Sequence, residues 1–281
     1  MKNEEKKNSV LTIGGATKDI YVRYHGADCM KIMRQDGDLN YMLFESGGKI
    51  EVEDVLYFSG GGSTNSAVSF RRLGFSATSC CVVGDDEAGK LVVDDLENEC
   101  VVVAHIGKNS EHSTAVSFVV NSLHGERVIF AHRSASRFLK ENNIPFDEMK
   151  NVDLVYITSL SCEASLLLPK IVEKAKEQKK PVAINPGVSQ LSSGALTLRD
   201  SLKNIDILVL NSSEARTFMV ALVEKDDVYK NAFQQSECGL PKVGKSDAIL
   251  MHQPLPYENY HFSMRKFFLE IFKMGPKIVA V

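Results

Sequence analysis

The stretch from residue 58 to residue 75, FSGGGSTNSAVSFRRLGF, constrains the fold most, because three consecutive glycines join an apolar run to a helical pattern. Apolar residues then recur at helical spacing, and Gly74 is placed to end the helix in a left-handed conformation. Ser63 or Thr64 is the expected N-cap, since a hydroxyl there can accept from an unpaired N–H group. The pattern predicts a tight turn from strand to helix.

This turn also has the chemistry of a binding site. Gly60 and Gly61 let a ligand approach the backbone closely, and a helix start presents N–H donors with a partial positive charge. Such a turn suits an oxygen-rich or anionic ligand. Asn65, one turn inside the helix, adds an amide that can donate and accept. A turn that binds nothing is the alternative, and the turn alone does not decide between them.

Composition narrows the class of protein. With 281 residues, 44% of them hydrophobic, the chain can form one sizeable α/β domain or two small ones. A net charge of -3 argues against a nucleic-acid partner. The six cysteines show no CxxC spacing, which favours reduced thiols in a cytoplasmic protein. No apolar run is long enough to span a bilayer, so no membrane partner is expected.

Short apolar runs alternate with helical patterns along most of the chain, and this βαβ rhythm predicts a parallel sheet. The predicted strands are residues 10–13, 77–83, 101–106, 153–157, 181–184, 205–210 and 277–281. The predicted helices after the first are residues 90–99, 165–178, 214–223 and 263–274. Residues 225–260 are less regular and are predicted to be a long surface insertion.

Two regions depart from this rhythm. Between residues 20 and 58 apolar and polar residues alternate, which predicts a small antiparallel sheet with one wet face. Residues 114–120 and 127–131 form a second alternating pair, joined by a turn that contains His124-Gly125-Glu126. We expect these segments, about 20–58 and 114–132, to form one lid or dimerisation flap over the site.

Polar residues follow several predicted strands. Asp19 lies a few residues after the first strand, and Asn185 and Asn211 end two successive strands. Ligands of open α/β sheets bind at that edge, where a carboxylate can accept hydrogen bonds from sugar hydroxyls. A solvated loop aspartate is the alternative for Asp19. Asn211 with Glu214 also fits a capping box, which supports helix starts anywhere.

Taken in order, these motifs resemble the ribokinase/phosphofructokinase-B family of carbohydrate and nucleoside kinases. The motifs are Asp19 after the first strand, Gly60-Gly61-x-x-x-Asn65, Gly84-Asp85-Asp86-x-x-Gly89, Gly125-Glu126-Arg127, Asn185-Pro186 and Asn211-x-x-Glu214. The resemblance covers residues 10–217 and resumes at 263–281. It implies a doubly wound, mainly parallel α/β sheet flanked by helices, with a small antiparallel β lid. The whole of 1–281 would be one such domain without its C-terminal part.

The resemblance implies transfer of the γ-phosphoryl group of ATP to a hydroxyl of a sugar or nucleoside, with Mg²⁺ as a second cofactor. It assigns substrate binding to Asp19, Gly60, Gly61 and Asn65, the nucleotide side to Asn185, Asn211 and Glu214, and the metal to Glu214. Phosphoryl transfer needs alignment and charge neutralisation, and hard oxygen ligands suit Mg²⁺. A homodimer through the lid is common in the family.

Two departures from the family pattern stand out. Ser134-Ala135-Ser136 replaces the usual Gly-Ala-Asn, and the catalytic Gly-Ala-Gly-Asp occurs nowhere in the sequence. In the family, that Asp is the general base and its backbone N–H groups form the anion hole. We therefore expect a truncated kinase that does not turn over. The alternative is a non-catalytic sugar- or nucleoside-binding protein. A nicotinamide-dependent dehydrogenase is disfavoured, because no G-x-G-x-x-G follows a strand with the required acidic residue.

Overall fold

The computed structural model describes residues 8–24, 26–33, 39–121, 127–234, 254–257 and 260–281. Its strands are β1 (Ser9–Ile13), β2 (Thr17–Arg23), β3 (Asp28–Ile32), β4 (Leu39–Leu43), β5 (Asp54–Gly60), β6 (Ser76–Gly84), β7 (Val102–Asn109), β8 (Ala115–Asn121), β9 (Arg127–His132), β10 (Leu154–Ile157), β11 (Val182–Ile184), β12 (Ile207–Val209), β13 (Pro254–Tyr257), β14 (Tyr260–Ser263) and β15 (Ile278–Ala280). Its α-helices are α1 (Gly62–Arg72), α2 (Glu87–Asn98), α3 (Leu168–Glu177), α4 (Val188–Leu191), α5 (Ala195–Ser201), α6 (Ser212–Lys225), α7 (Asp227–Gln234) and α8 (Met264–Met274).

The main sheet has seven parallel strands in the order β15-β12-β11-β10-β1-β6-β7. Ile13 at the end of β1 lies beside Ile157 of β10 on one side and Cys80 of β6 on the other. The predicted parallel sheet is confirmed, because each predicted buried run forms one of these strands.

The strand order reverses between β1 and β10. From β1 the chain adds β6 and β7 on one side, and it then crosses to add β10, β11, β12 and β15 on the other. The carboxyl ends of β1 and β10 therefore border a topological switch point, which is where open α/β sheets bind ligands.

Helices cover both faces of the sheet, so the doubly wound arrangement is confirmed. On one face, α1 and α2 bury a core that includes Ala67 and Val92. On the other face, a larger core contains the fully buried rings of Phe218 in α6 and Phe267 in α8. Burying each such aromatic side chain contributes about 1.5–3 kcal/mol, so the larger core carries much of the stability.

A smaller sheet, which we call the lid, has four strands in the order β5-β2-β8-β9. Its β2–β5 and β8–β9 pairs are antiparallel as predicted, whereas β2 and β8 pair in parallel. The parallel pair arises because β2 follows β1 and β8 follows β7, so both leave the same edge of the main sheet in the same direction. Strands β3 and β4 form a separate hairpin, so not all of residues 20–58 joins this sheet.

Two predicted segments differ in the structure. The helix predicted at 165–178 begins only at Leu168, after a 3-10 segment over Cys162–Leu167, because Pro169 favours the first turn of a helix. The region 225–260 was predicted to be irregular, but α6 continues to Lys225 and α7 follows it. Residues 235–253 and 258–259, and the turn at 124–126, lie outside the described residues.

Within the described ranges, we find no helix that is both long and apolar enough to cross a membrane.

Candidate functional site

Two glycine turns, at residues 14–16 and 60–62, meet at the switch point, and we call them the glycine rim. Gly61 has a φ of 104°, and a Cβ on it would lie 2.5 Å from the Gly15 carbonyl oxygen and 2.6 Å from Ala16 Cα. The backbone N–H of Ser63 donates to Gly15 O at 3.1 Å. The two backbones approach so closely that only glycine fits at position 61.

The start of α1 differs from the prediction. Helix α1 begins at Gly62 with Gly61 as its N-cap, and no side chain caps it, so the N-cap predicted at Ser63 or Thr64 is wrong. Both hydroxyls serve other partners, because they are buried: Ser63 Oγ lies 2.9 Å from Ser79 Oγ, and Thr64 Oγ1 donates to Gly60 O. The helix therefore presents its N-terminal dipole at the rim without a side-chain cap.

Asp19 lies in lid strand β2 and not in a loop, which corrects that part of the prediction. Its Oδ1 accepts a hydrogen bond from Thr17 Oγ1 at 2.8 Å, and a Cβ on Gly60 would overlap its Oδ2. The carboxylate thus lies directly against the glycine rim, and the structure brings Asp19, Gly60 and Gly61 together. Such a carboxylate can accept hydrogen bonds from ligand hydroxyls beside the N–H donors of α1.

Asn65 lies apart from this group. Its side chain is exposed in a cleft of about 510 Å³ between β5, α1 and α2, whose lining includes Tyr57, Ser59 and Asp95 but not Asp19. The structure therefore places Asn65 one helical turn from the glycine rim, and in the part of the chain described here its side chain makes no hydrogen bond to the Asp19 carboxylate.

Asn185, Asn211 and Glu214 lie at the same edge of the sheet, after β11 and β12. The Asn185 side chain donates to Val209 O at 2.9 Å and so ties the ends of these two strands. Asn211 Oδ1 accepts from Glu214 N at 2.8 Å, and Glu214 Oε2 accepts from Asn211 N at 2.9 Å. The capping box is therefore formed. In the described part of the chain, Glu214 Oε1 accepts no hydrogen bond, so one hard oxygen stays available for a cation.

Two residues that contact the glycine rim were not predicted from the sequence to do so. Thr158 Oγ1 donates to Ile13 O at 3.2 Å, and its Cβ lies 2.6 Å from where a Cβ on Gly62 would be. Ser136 Oγ donates to Ala16 O at 2.7 Å, so the stretch that departs from Gly-Ala-Asn still contacts the rim. Thr158 directly follows β10, just as Asn185 follows β11, and that position was the available signal.

Asp86, in the Gly84-Asp85-Asp86-x-x-Gly89 motif, joins the main sheet to the lid. It caps α2 by accepting from Gly89 N at 2.8 Å, and it accepts from Thr114 N at 2.8 Å and Thr114 Oγ1 at 2.6 Å. Burial raises the pKa of Asp86, but the hydrogen bonds from Thr114 and Gly89 outweigh burial and lower it below the ordinary value. The motif therefore fixes the start of β8 relative to α2.

Asp86→Ala is expected to cost roughly 2–3 kcal/mol of unfolding free energy, because it removes an N-cap and leaves the buried Thr114 without its acceptor. Because the folded pKa is lowered, this contribution is present at neutral pH and is lost as the pH falls through that pKa. Urea denaturation at neutral and acidic pH measures it. Asp85→Ala is the matched control, since within the described ranges the Asp85 side chain makes one exposed 3.8 Å pair, with Lys108. An equal loss in both variants would contradict the role of Asp86.

The layered parallel sheet, the lid and the glycine rim define a doubly wound α/β protein with a lid beside its switch point, and comparison with known proteins identifies its family. The pfkB family of carbohydrate kinases matches residues 30–244, and the chain belongs to that family. The fold is ribokinase-like. It superposes on an apo putative ribokinase II from E. coli with a TM-score of 0.67 and 15% identity, covering 98% of this chain and 73% of that one. The ribokinase of Arabidopsis thaliana, solved with ribose and ATP, gives a TM-score of 0.64 and 16% identity, covering 97% and 71%.

Among curated relatives, an uncharacterized sugar kinase of Archaeoglobus fulgidus is 27% identical over 51% of this chain and 57% of its own length. The chain spans about half the length of the curated relatives it matches.

Proposed function

We propose that this site serves ATP-dependent phosphoryl transfer to a hydroxyl of a sugar or nucleoside. The observation that carries the proposal is the contact of the Asp19 carboxylate with the glycine rim at the switch point of the sheet. A fixed acceptor of hydrogen bonds beside an uncapped helix start suits a ligand that carries both hydroxyls and developing negative charge.

In this proposal the two sides of the site hold different ligands. Asp19, Gly60, Gly61 and Asn65 bind the acceptor; Asn185, Asn211 and Glu214 face the nucleotide. Glu214 Oε1 fits Mg²⁺, which would neutralise phosphate charge when bound. The glycine backbone and Asp19 would orient the acceptor hydroxyl, and alignment supplies much of the rate of phosphoryl transfer.

For the 281 residues alone, we propose acceptor binding without turnover, because the sequence contains no Gly-Ala-Gly-Asp. The same observation favours a second candidate, a non-catalytic sugar- or nucleoside-binding protein. Coding sequence for Gly-Ala-Gly-Asp just downstream of Val281 would favour the kinase. Binding without phosphate transfer by a chain shown to be complete would favour the binding protein.

The test is a thermal-shift screen with D-ribose, D-fructose and adenosine, each with and without ATP and Mg²⁺. We expect an acceptor to stabilise the chain more than ATP does, because these 281 residues include more of the acceptor side of the proposed site than of its nucleotide side. At a hundred times its Kd, a ligand stabilises by about 2.7 kcal/mol, which raises Tm by several degrees. L-Glucose is the control for nonspecific sugar effects. If ATP alone stabilises at least as well as every acceptor, these 281 residues are not mainly an acceptor-binding unit, and if no acceptor stabilises the chain, the proposed function itself fails.

We also propose that two copies associate through the lid. Phe118 and Phe130 lie opposite each other in register and are 47% and 57% exposed. Tyr57, 61% exposed, lies in the same row across the sheet, with Ile20 between it and Phe118. Exposed aromatic patches of this kind mark association surfaces. Light scattering of the purified chain measures its mass, and a strictly monomeric mass would contradict this arrangement.

A further inference from the structure

Gln190 joins the loop that follows β10 to the loop that follows β11. It lies in α4 and is 1% exposed. Its Oε1 accepts a hydrogen bond from the backbone N–H of Leu160 at 2.9 Å and a second from the backbone N–H of Gly187 at 2.9 Å. One amide oxygen therefore holds the two loops together just beyond the last paired residues of the strands, Ile157 and Ile184.

The orientation of this amide follows from its neighbours. In the flipped orientation its NH2 group would face two backbone N–H donors, so the oxygen is the atom that lies between the loops. The Nε2 atom of Gln190 is buried, and no residue in the described ranges accepts a hydrogen bond from it. An unpaired buried donor costs free energy. Stability alone therefore does not account for a glutamine at this position, and natural proteins carry such costs at functional sites.

The two joined loops belong to opposite sides of the proposed site. Thr158, two residues before Leu160, lies against the glycine rim on the acceptor side. Asn185, two residues before Gly187, is assigned to the nucleotide side, and its side chain bonds to the end of β12, which leads to Asn211. Through Gln190, hydrogen bonds and short backbone segments thus connect the glycine rim to the start of α6.

The two loops also pack closely beside Gln190. A Cβ on Gly187 would lie 2.6 Å from Ser159 Cβ, so the glycine is what allows the backbones to approach. The backbone N–H of Cys162 donates to Ser189 Oγ at 3.3 Å, which adds a second connection between the same loops. Because close-packed segments transmit displacements to one another, a ligand that orders one loop also orders the other.

We infer that Gln190 is a positioning residue that couples the binding of the acceptor to the binding of ATP. The inference rests on the proposed function of the same site and adds how its two sides communicate. A ligand that orders the loop of Thr158 leaves less ordering to be done by a ligand at the loop of Asn185, so each ligand strengthens the binding of the other. Such coupling is reciprocal and typically changes affinity by about 5- to 150-fold.

The test measures acceptor affinity by calorimetry, with and without the non-hydrolysable ATP analogue AMP-PNP and Mg²⁺. The acceptor is D-ribose, D-fructose or adenosine, whichever binds the full chain most tightly. The wild type is expected to bind it at least about 5-fold more tightly when the nucleotide is present. Gln190→Leu should remove this enhancement, because leucine offers no oxygen to the two N–H groups. Gln190→Glu should retain it, since a carboxylate oxygen can accept from both.

Gln178→Leu is the matched control. Gln178 also joins two elements through its amide, since its Nε2 donates to Phe146 O at 2.7 Å, but it follows α3 near the amino end of β11, away from the site. This variant is expected to lose stability and keep the enhancement. If Gln190→Leu does not fold, Gln190→Asn replaces it, because the shorter side chain cannot reach both N–H groups. The melting temperature of each unliganded variant reports its folding.

Each outcome decides the inference. An enhancement that is present in the wild type and Gln190→Glu and lost in Gln190→Leu supports it. An equal enhancement in all variants overturns it, since Gln190 then only stabilises the fold, and a loss in Gln178→Leu as well overturns it in favour of a general effect of stability. No enhancement in the wild type also overturns it, while acceptor binding by the same chain leaves the proposed function standing. If no acceptor binds the folded wild type, the proposed function and the inference both fall.

Discussion

Gly61→Ala is expected to destabilise the folded chain severely. The left-handed φ of 104° costs an L-residue about 1–2 kcal/mol. The new Cβ would also press on Gly15 O at 2.5 Å and Ala16 Cα at 2.6 Å. These are backbone atoms that cannot rotate away, and such overpacking costs about 1–3 kcal/mol more. Together they remove roughly 2–5 kcal/mol from a domain stability of about 5–15 kcal/mol. Urea denaturation gives the difference directly.

Gly74→Ala is the matched control for this substitution. Gly74 also has a positive φ, 94°, but nothing lies within 4 Å of the position a Cβ would take. This variant therefore loses only the backbone contribution, about 1–2 kcal/mol. If both variants lose the same stability, the close approach of the two glycine turns does not constrain the fold.

Asp19→Ala is expected to abolish acceptor binding while the chain stays folded. Among the residues that the structure describes, Thr17 alone donates a hydrogen bond to this carboxylate, so its loss costs the fold little. A ligand that gives it two hydroxyl hydrogen bonds would lose about 3 kcal/mol or more, which is at least about 100-fold in affinity. Calorimetry with the acceptor identified by the thermal-shift screen measures the loss.

Asp28→Ala provides the comparison for Asp19, because Asp28 is an exposed carboxylate on the separate β3–β4 hairpin. The affinity of the Asp28→Ala variant for the acceptor should match that of the wild type. Unchanged binding in Asp19→Ala would remove this residue from the site and with it the main support for the proposed function.

The main sheet could be predicted from the sequence because its central strands are largely buried on both faces. Runs such as residues 153–157 and 205–210 are nearly continuous apolar segments, which a parallel sheet covered by helices requires. The same logic placed Asn185 and Asn211 at one edge of the sheet, since parallel strands end on the same side. These features depend on local patterns and on one general rule of topology.

Features that depend on distant partners could not be predicted in this way. Ser63 is a residue type that commonly caps helices. Its hydroxyl instead lies in a buried hydrogen-bonded cluster with Thr12 and Ser79, which belong to other elements of the chain. The parallel pairing of β2 with β8 likewise joins segments almost a hundred residues apart.

The links between main sheet and lid are short: residues 14–16, Gly61, residues 110–114 and Arg133. Any swing of the lid must therefore turn the backbone torsions at these few links, and one of them, Gly61, is a residue that we assign to the acceptor. Ligand binding and movement of the lid would then be coupled through the same short links. A ligand that contacts Gly61 would restrict the movement, and a substitution that makes a link more flexible is expected to weaken the binding of that ligand.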